Sequence, residues 1–129
     1  AKEIPFEKKF DFIIDRAAIT HNPTNEIKNI IDLVHQKLSK NGIFIGIDWF
    51  STKHSEYKNG NKTSDLLTKN NFKTGQFKKV GNVHFSNKKH LVKIFEKFKI
   101  ETLEEKIIKK KIPNDNKIIA AWNIVAKKK

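Results

Sequence analysis

Asp15 and Arg16 stand side by side at the end of an apolar run, Phe10-Asp11-Phe12-Ile13-Ile14, and are followed by the small residues Ala17 and Ala18. A carboxylate at that point can orient an ammonium group or act as a base, and a guanidinium can clamp a carboxylate or phosphate at two points. Arg16 is the single arginine among 27 basic residues. Lysine, a point charge on a flexible stem, is a poor substitute for that planar fork. Asp48-Trp49-Phe50 closes a second apolar run, and its two rings can wall a pocket. His21 and His84 are the candidate general bases, because imidazole titrates near neutrality. His35, His54 and His90 are read as helix or loop surface residues without a role. The chain has no cysteine, which excludes disulfides, zinc–cysteine sites and thiol catalysis. Neither Glu-x-x-His spacing nor an aspartate cluster marks a metal site, and none is expected.

The elements that position these residues follow from the pattern. Residues 10–15 form a short strand apolar on both faces, which belongs inside a parallel sheet. Ligands of such sheets gather beyond the carboxyl ends of the strands, where Asp15 and Arg16 fall. Asn22-Pro23 is a helix start, with Asn as cap and Pro at the first helical position. Ile27, Ile30, Ile31, Val34 and Leu38 then make one helical stripe, and Gly42 is placed to supply a left-handed stop. A second strand over residues 43–50 completes a right-handed crossover unit. Residues 51–80 read as a long polar loop anchored by Leu66, Leu67, Phe72 and Phe77. Val83-His84-Phe85 leads to Ser86, a cap for a helix carrying Leu91, Ile94 and Phe95. Two strands, 98–108 and 117–126, joined by the turn cluster Pro113-Asn114-Asp115-Asn116, pair antiparallel. The expected fold class is α/β in the order β-α-β-loop-α-β-β, a partial Rossmann-like sheet whose parallel strands end in an antiparallel hairpin.

At 129 residues the chain is long enough for one core. With neither a membrane-length apolar run nor a signal-peptide pattern, the expected location is cytoplasmic. The net charge of +13 suggests nucleic acid. Its near-exclusive reliance on lysine, alongside abundant Asn and Ile, instead favours a solvated surface with a coding bias.

Four segments in order resemble the C-terminal half of class I S-adenosylmethionine-dependent methyltransferases. Phe10-Asp11-Phe12-Ile13-Ile14-Asp15-Arg16-Ala17 is similar to the family's fourth strand, and Leu38-Ser39-Lys40-Asn41-Gly42-Ile43-Phe44 to its entry into the fifth. Phe85-Ser86-Asn87-Lys88-Lys89-His90-Leu91 resembles the helix start before strand six. Trp122-Asn123-Ile124-Val125-Ala126-Lys127 resembles strand seven. The resemblance implies an S-adenosylmethionine cofactor whose methionine end lies by Asp15, Arg16 and Ala17. It further implies an acceptor beside Trp49, Phe50 and Phe85, and proton removal by His21 or His84.

The family's glycine-rich loop and ribose-binding acid have no counterpart in these residues, where no two glycines have G-x-G spacing. Residues 1–129 are therefore expected to be a C-terminal methyltransferase portion without its N-terminal cofactor-binding half, and to be inactive alone. A truncated product, a proteolytic remnant or one half of a split chain would all fit. The acceptor is expected to be an O or N nucleophile on a small molecule, since Asp15-Arg16-Ala17-Ala18 lacks the proline-aromatic ending common in nucleic-acid amino-methyltransferases. Neither membrane nor nucleic acid is an expected partner. An unpaired first strand and a bare sheet face predict a homo-oligomer. Two other functions compete: a lysine-rich nucleic-acid-binding module using aromatic faces, and a non-catalytic interaction domain.

Overall fold

The computed structural model describes residues 9–129, so Pro5 and most of the charged lead-in lie outside the described residues. β1 (Phe10–Arg16) runs parallel to β2 (Leu38–Phe50), and α1 (Thr24–Lys37) crosses between them. β3 (Asn61–Lys62), β4 (Thr68–Asn70) and β5 (Val83–His84) form a small second sheet. After α2 (Lys88–Ile94), the hairpin of β6 (Phe98–Lys111) and β7 (Asn114–Lys128) completes the main sheet. Its order is β1-β2-β7-β6, with β1–β2 the one parallel pair. The last strand thus slots between β2 and β6, where both its neighbours are antiparallel.

Alternation along the strands separates the two faces of this sheet. Phe44, Trp49, Trp122, Ile124 and Ala126 point to the face that packs on Ile27, Ile30, Ile31 and Val34 of α1 and on Leu91 and Ile94 of α2. Both helices cover this one face. On the other, Phe12 and Ile14 of β1 are 64% and 62% exposed. Their cross-strand neighbours Ile43 and Ile45 are half-buried.

Several local expectations are corrected. Asn22 does not cap α1. Its side chain donates to the Ile19 carbonyl at 3.1 Å. The extended residue before the helix is Pro23, and the amide of Thr24 donates to Asp65 Oδ2 at 2.6 Å, a cap supplied from the segment after β2. Leu38 belongs to β2 and not to the helix stripe, so β2 begins five residues before the expected start at residue 43. The left-handed residue of this connection is Asn41 (φ 62°), not Gly42. Gly42 is needed for space, because a Cβ there would lie 2.9 Å from the Ser39 carbonyl oxygen. The cap of α2 is Asn87, whose Oδ1 accepts the His90 amide at 2.8 Å; the Ser86 carbonyl instead accepts Trp122 Nε1–H.

The largest correction concerns residues 51–80. They are not a structureless loop. A 3₁₀ turn (Ser55–Lys58), β3 and β4 lie within them, and Phe72 and Phe77 pack with Val83 and Phe85 into a second core. These aromatics come from separate turns and share no helical or strand period, so no repeating pattern announces them.

Candidate functional site

The carboxyl ends of β1 and β2 form a rim with one unusual backbone feature. Ala17 (φ 62°) and Asp48 (φ 56°) both adopt the left-handed conformation, one residue beyond the Arg16–Ile47 pairing. Non-glycine residues rarely do so, and each such residue costs on the order of 1 kcal/mol or more. At Asp48 the β2–β7 ladder slips between Gly46 and Trp49, and Asn123 Oδ1 accepts the freed Asp48 amide at 3.2 Å.

Behind that rim Asp15 is buried, 8% exposed, and accepts the Ile19 amide at 3.2 Å and Trp49 Nε1–H at 2.9 Å. Burial raises its pKa, and these donors oppose the rise. Gly46, its partner in register, is what lets the Trp49 indole lie against β2, since a Cβ there would be 3.0 Å from Trp49 Nε1. Asp15 therefore holds the loop after β1 in place. Arg16, 73% exposed, pairs with Asp48 Oδ2 at 3.2 Å. Lys106 of β6 contacts the other Asp48 oxygen, and this contact is the first cause that lowers the Asp48 pKa, with Arg16 contributing.

The candidate bases differ sharply. His21 is exposed, and its Nδ1 lies 3.1 Å from the Asn82 carbonyl oxygen. A carbonyl can only accept, so Nδ1 carries the proton of the neutral ring and Nε2 is left as a basic lone pair. His84 is fully buried. Its Nδ1 lies 3.0 Å from Thr68 Oγ1, which gives its own proton to Asp65 Oδ2 at 2.6 Å. His84 Nδ1 must then be the donor, and its Nε2 accepts from His90 Nε2 at 2.9 Å. Burial, followed by the neighbouring His90, pulls the His84 pKa to about 4. Burial would raise Asp65, but donors from Thr68, Thr24 and Leu67 hold it at about 2.

The rim thus brings together Asp15, Arg16 and Ala17. Of the expected pocket walls, Trp49 and Phe85 are wholly enclosed, Trp49 between Phe44 and Phe95 and Phe85 in the second core; only Phe50 keeps exposed surface. The surface assignments of His35, His54 and His90 are corrected: His54 is buried, His90 is half-buried against His84, and His35 is half-buried edge-on to Phe98. Lys106, Asp65, Thr68 and His90 were invisible as site residues because their partners lie from 3 to 58 residues away with no fixed spacing.

No protein-family profile matches the chain, and no curated protein sequence does. Solved structures do match it. A SAM-dependent methyltransferase from Methanosarcina mazei superposes with a TM-score of 0.74 at 20% identity, covering 98% of this chain and 63% of that one. The N-methyltransferase NodS from Bradyrhizobium japonicum, in complex with S-adenosyl-L-homocysteine, gives 0.60 at 7% identity, with 98% and 50% covered. An amino pentose methyltransferase from Micromonospora echinaspora with bound SAM gives 0.56 at 9%, with 99% and 62% covered. The fold is that of S-adenosylmethionine-dependent methyltransferases, and this chain spans between 50% and 63% of the length of these three. No helix among the described residues is long and apolar enough to cross a membrane.

Proposed function

We propose that this chain supplies the acceptor side and the methionine end of the cofactor site of an S-adenosylmethionine-dependent methyltransferase acting on an O or N atom of a small molecule. The observation that carries this reading is the pair of left-handed residues, Ala17 and Asp48, at the rim beside buried Asp15. Backbone strain held at the end of two adjacent parallel strands points to a ligand, and ligands of such sheets bind there.

The residues fit the methionine end of the cofactor and no more of it. The Asp15 carboxylate is positioned to receive an ammonium group, Arg16 a carboxylate, and the Ala17 methyl leaves the backbone approachable. A sulfonium cofactor held by these residues would supply an electrophilic methyl group, with a thioether as its leaving group. The chain's own part is to fix the acceptor and take its proton. His21 is the better-placed base, because the Asn82 carbonyl sets its tautomer and leaves Nε2 free. His84, enclosed and hydrogen-bonded on both nitrogens, serves as a positioning residue for the β4–β5 segment. Phe50 offers the accessible aromatic wall.

Adenosine binding has no glycine-rich loop among these residues, so the chain alone is proposed to be inactive and to bind cofactor weakly. Exposed Phe12 and Ile14 on the open edge strand favour self-association through that face, with sedimentation of a dilute monomer as the contrary result. The central test is an NMR titration of the ¹⁵N-labelled chain with S-adenosylhomocysteine. Shifts confined to residues 15–19 and 46–51, with a dissociation constant weaker than about 1 mM, are expected. Shifts spread over the lysine surface, or none at about 10 mM, would overturn the reading. The nucleic-acid alternative predicts instead salt-dependent binding of mixed DNA or RNA.

A further inference from the structure

The turns between β4 and β5 shape an open groove of about 560 Å³, lined by Lys73, Lys78 and Lys79 and, on its apolar side, by Phe72 and Val80. Among the described residues no carboxylate lines it. Residues 51–86 carry seven lysines against Glu56 and Asp65 as their two carboxylates, and both of these are engaged elsewhere. Glu56 is buried against Gly75 and accepts from Asn59 Nδ2 at 3.3 Å. Asp65 caps α1 and accepts the Thr68 hydroxyl. Among the described residues, Lys73, Lys78 and Lys79 belong to no ion pair. Like charges around one concavity repel one another, and a bound anion relieves that cost.

The backbone favours the same occupant. Asn71 (φ 51°) and Lys79 (φ 63°) both line the groove in the left-handed conformation, which residues other than glycine rarely adopt. Within the described residues the amides of Lys79 and Gly81, also in the lining, find no acceptor. Backbone N–H groups in such turns are donors for anions. Gly81 is followed by Asn82, whose carbonyl holds the His21 ring at 3.1 Å and whose Oδ1 accepts from Asn70 Nδ2 at 3.4 Å. The candidate base is therefore bonded to the residue that borders the groove.

We propose that this groove holds a phosphate monoester carried by the methyl acceptor, with the organic body of the acceptor against Phe72 and Val80 and its nucleophile toward His21. A phosphate monoester brings a charge of about −1.5 to −2 and three acceptor oxygens, so it can engage several ammonium groups and the backbone donors together. A carboxylate brings one charge and two oxygens. The volume suits a small organic molecule. Lys109, Lys110 and Lys111 line a second depression, at the tip of the β6–β7 hairpin, which has no aromatic lining and serves as an internal control. The identity of the ligand as methyl acceptor rests on the methyl-transfer reading. Binding in the groove is read at residues 71–82 without cofactor, whereas S-adenosylhomocysteine is read at residues 15–19 and 46–51, so the two readings fail separately.

Phenyl phosphate, benzoate and inorganic phosphate are each titrated into the ¹⁵N-labelled chain at about 0.15 M salt, where diffuse surface attraction is screened. Phenyl phosphate is expected to shift the amides of residues 71–73 and 78–82 and the side-chain nitrogens of His21. It should bind about tenfold more tightly than benzoate, and more tightly than the inorganic ion, which has no apolar body. Lys73→Gln, Lys78→Gln and Lys79→Gln combined should weaken phenyl phosphate at least about tenfold. Lys109→Gln, Lys110→Gln and Lys111→Gln combined should leave its affinity within about twofold. All six lysines are exposed, so both variants keep the fold. Equal losses in the two variants, benzoate or inorganic phosphate binding as tightly as the ester, or unmoved His21 nitrogens would each overturn the proposal.

Discussion

The main sheet and the segment from residue 51 to residue 86 bury their interiors in different ways. The sheet core is aliphatic and aromatic, and among the described residues Asp15 is the buried charged group at its rim. The second core is small, with four buried apolar residues, and lies among Ser51, His54, Glu56, Thr68, Lys69, His84 and Ser86, all buried. A wide apolar face gives stability that is insensitive to pH, while a small core wrapped in polar groups depends on every hydrogen bond being made. The contrast predicts that the sheet keeps its stability on acidification while the segment loses its own.

Truncation in each core tests that contrast most strongly. Phe44→Ala should cost about 3–5 kcal/mol and lower the melting of the whole chain. Phe85→Ala should cost a similar amount but release the segment alone, with amides of β1 and β2 still protected in hydrogen exchange. Equal loss of protection everywhere would make the two cores one cooperative unit.

Acidification is the next largest effect. His84 is held at about 4 against an ordinary 6.5, so the unfolded chain binds the extra proton first as pH falls. The stability linked to His84 is complete above about 6.5, falls through that window and levels off below about 4, a loss of about 3 kcal/mol. Asp65, held at about 2 against 3.8, adds a further loss between those values. Thermal melts from pH 7 to pH 4 should therefore show the segment opening before the sheet, and a pH-independent melt would remove the contrast. His84→Gln should flatten the upper part of the profile.

Trp49→Phe sharpens the picture at the rim. It removes one donor from Asp15 Oδ2, should cost about 1–2 kcal/mol, and should push the Asp15 pKa further upward, a change that carboxyl ¹³C shifts report directly. The smallest effect on stability is expected of Arg16→Gln, below about 0.5 kcal/mol, because the pair with Asp48 is solvent-exposed and Lys106 remains. The same change should nonetheless weaken S-adenosylhomocysteine binding about fivefold if Arg16 receives the ligand carboxylate. Calorimetric unfolding beside the ligand titration separates the two.

Much of the scaffold was legible in the residues themselves. The apolar runs around Ile13 and Phe44 specify strands, the spacing Ile27-Ile30-Ile31-Val34 specifies a helix facing them, and Pro113 marks the hairpin turn, which is tighter than the expected cluster because Asn114, Asp115 and Asn116 belong to β7. Each is a local pattern with a fixed period, and burial of one face enforces it. Asp15, Arg16 and Ala17 were marked by ending such a run. The tertiary structure decided what period cannot encode: that Asp65 caps α1 in place of Asn22, that His84 is enclosed, and that His54 is buried. Those outcomes depend on segments far apart in the chain meeting through aromatic contacts and single hydrogen bonds, and no repeating signal in the sequence specifies such meetings.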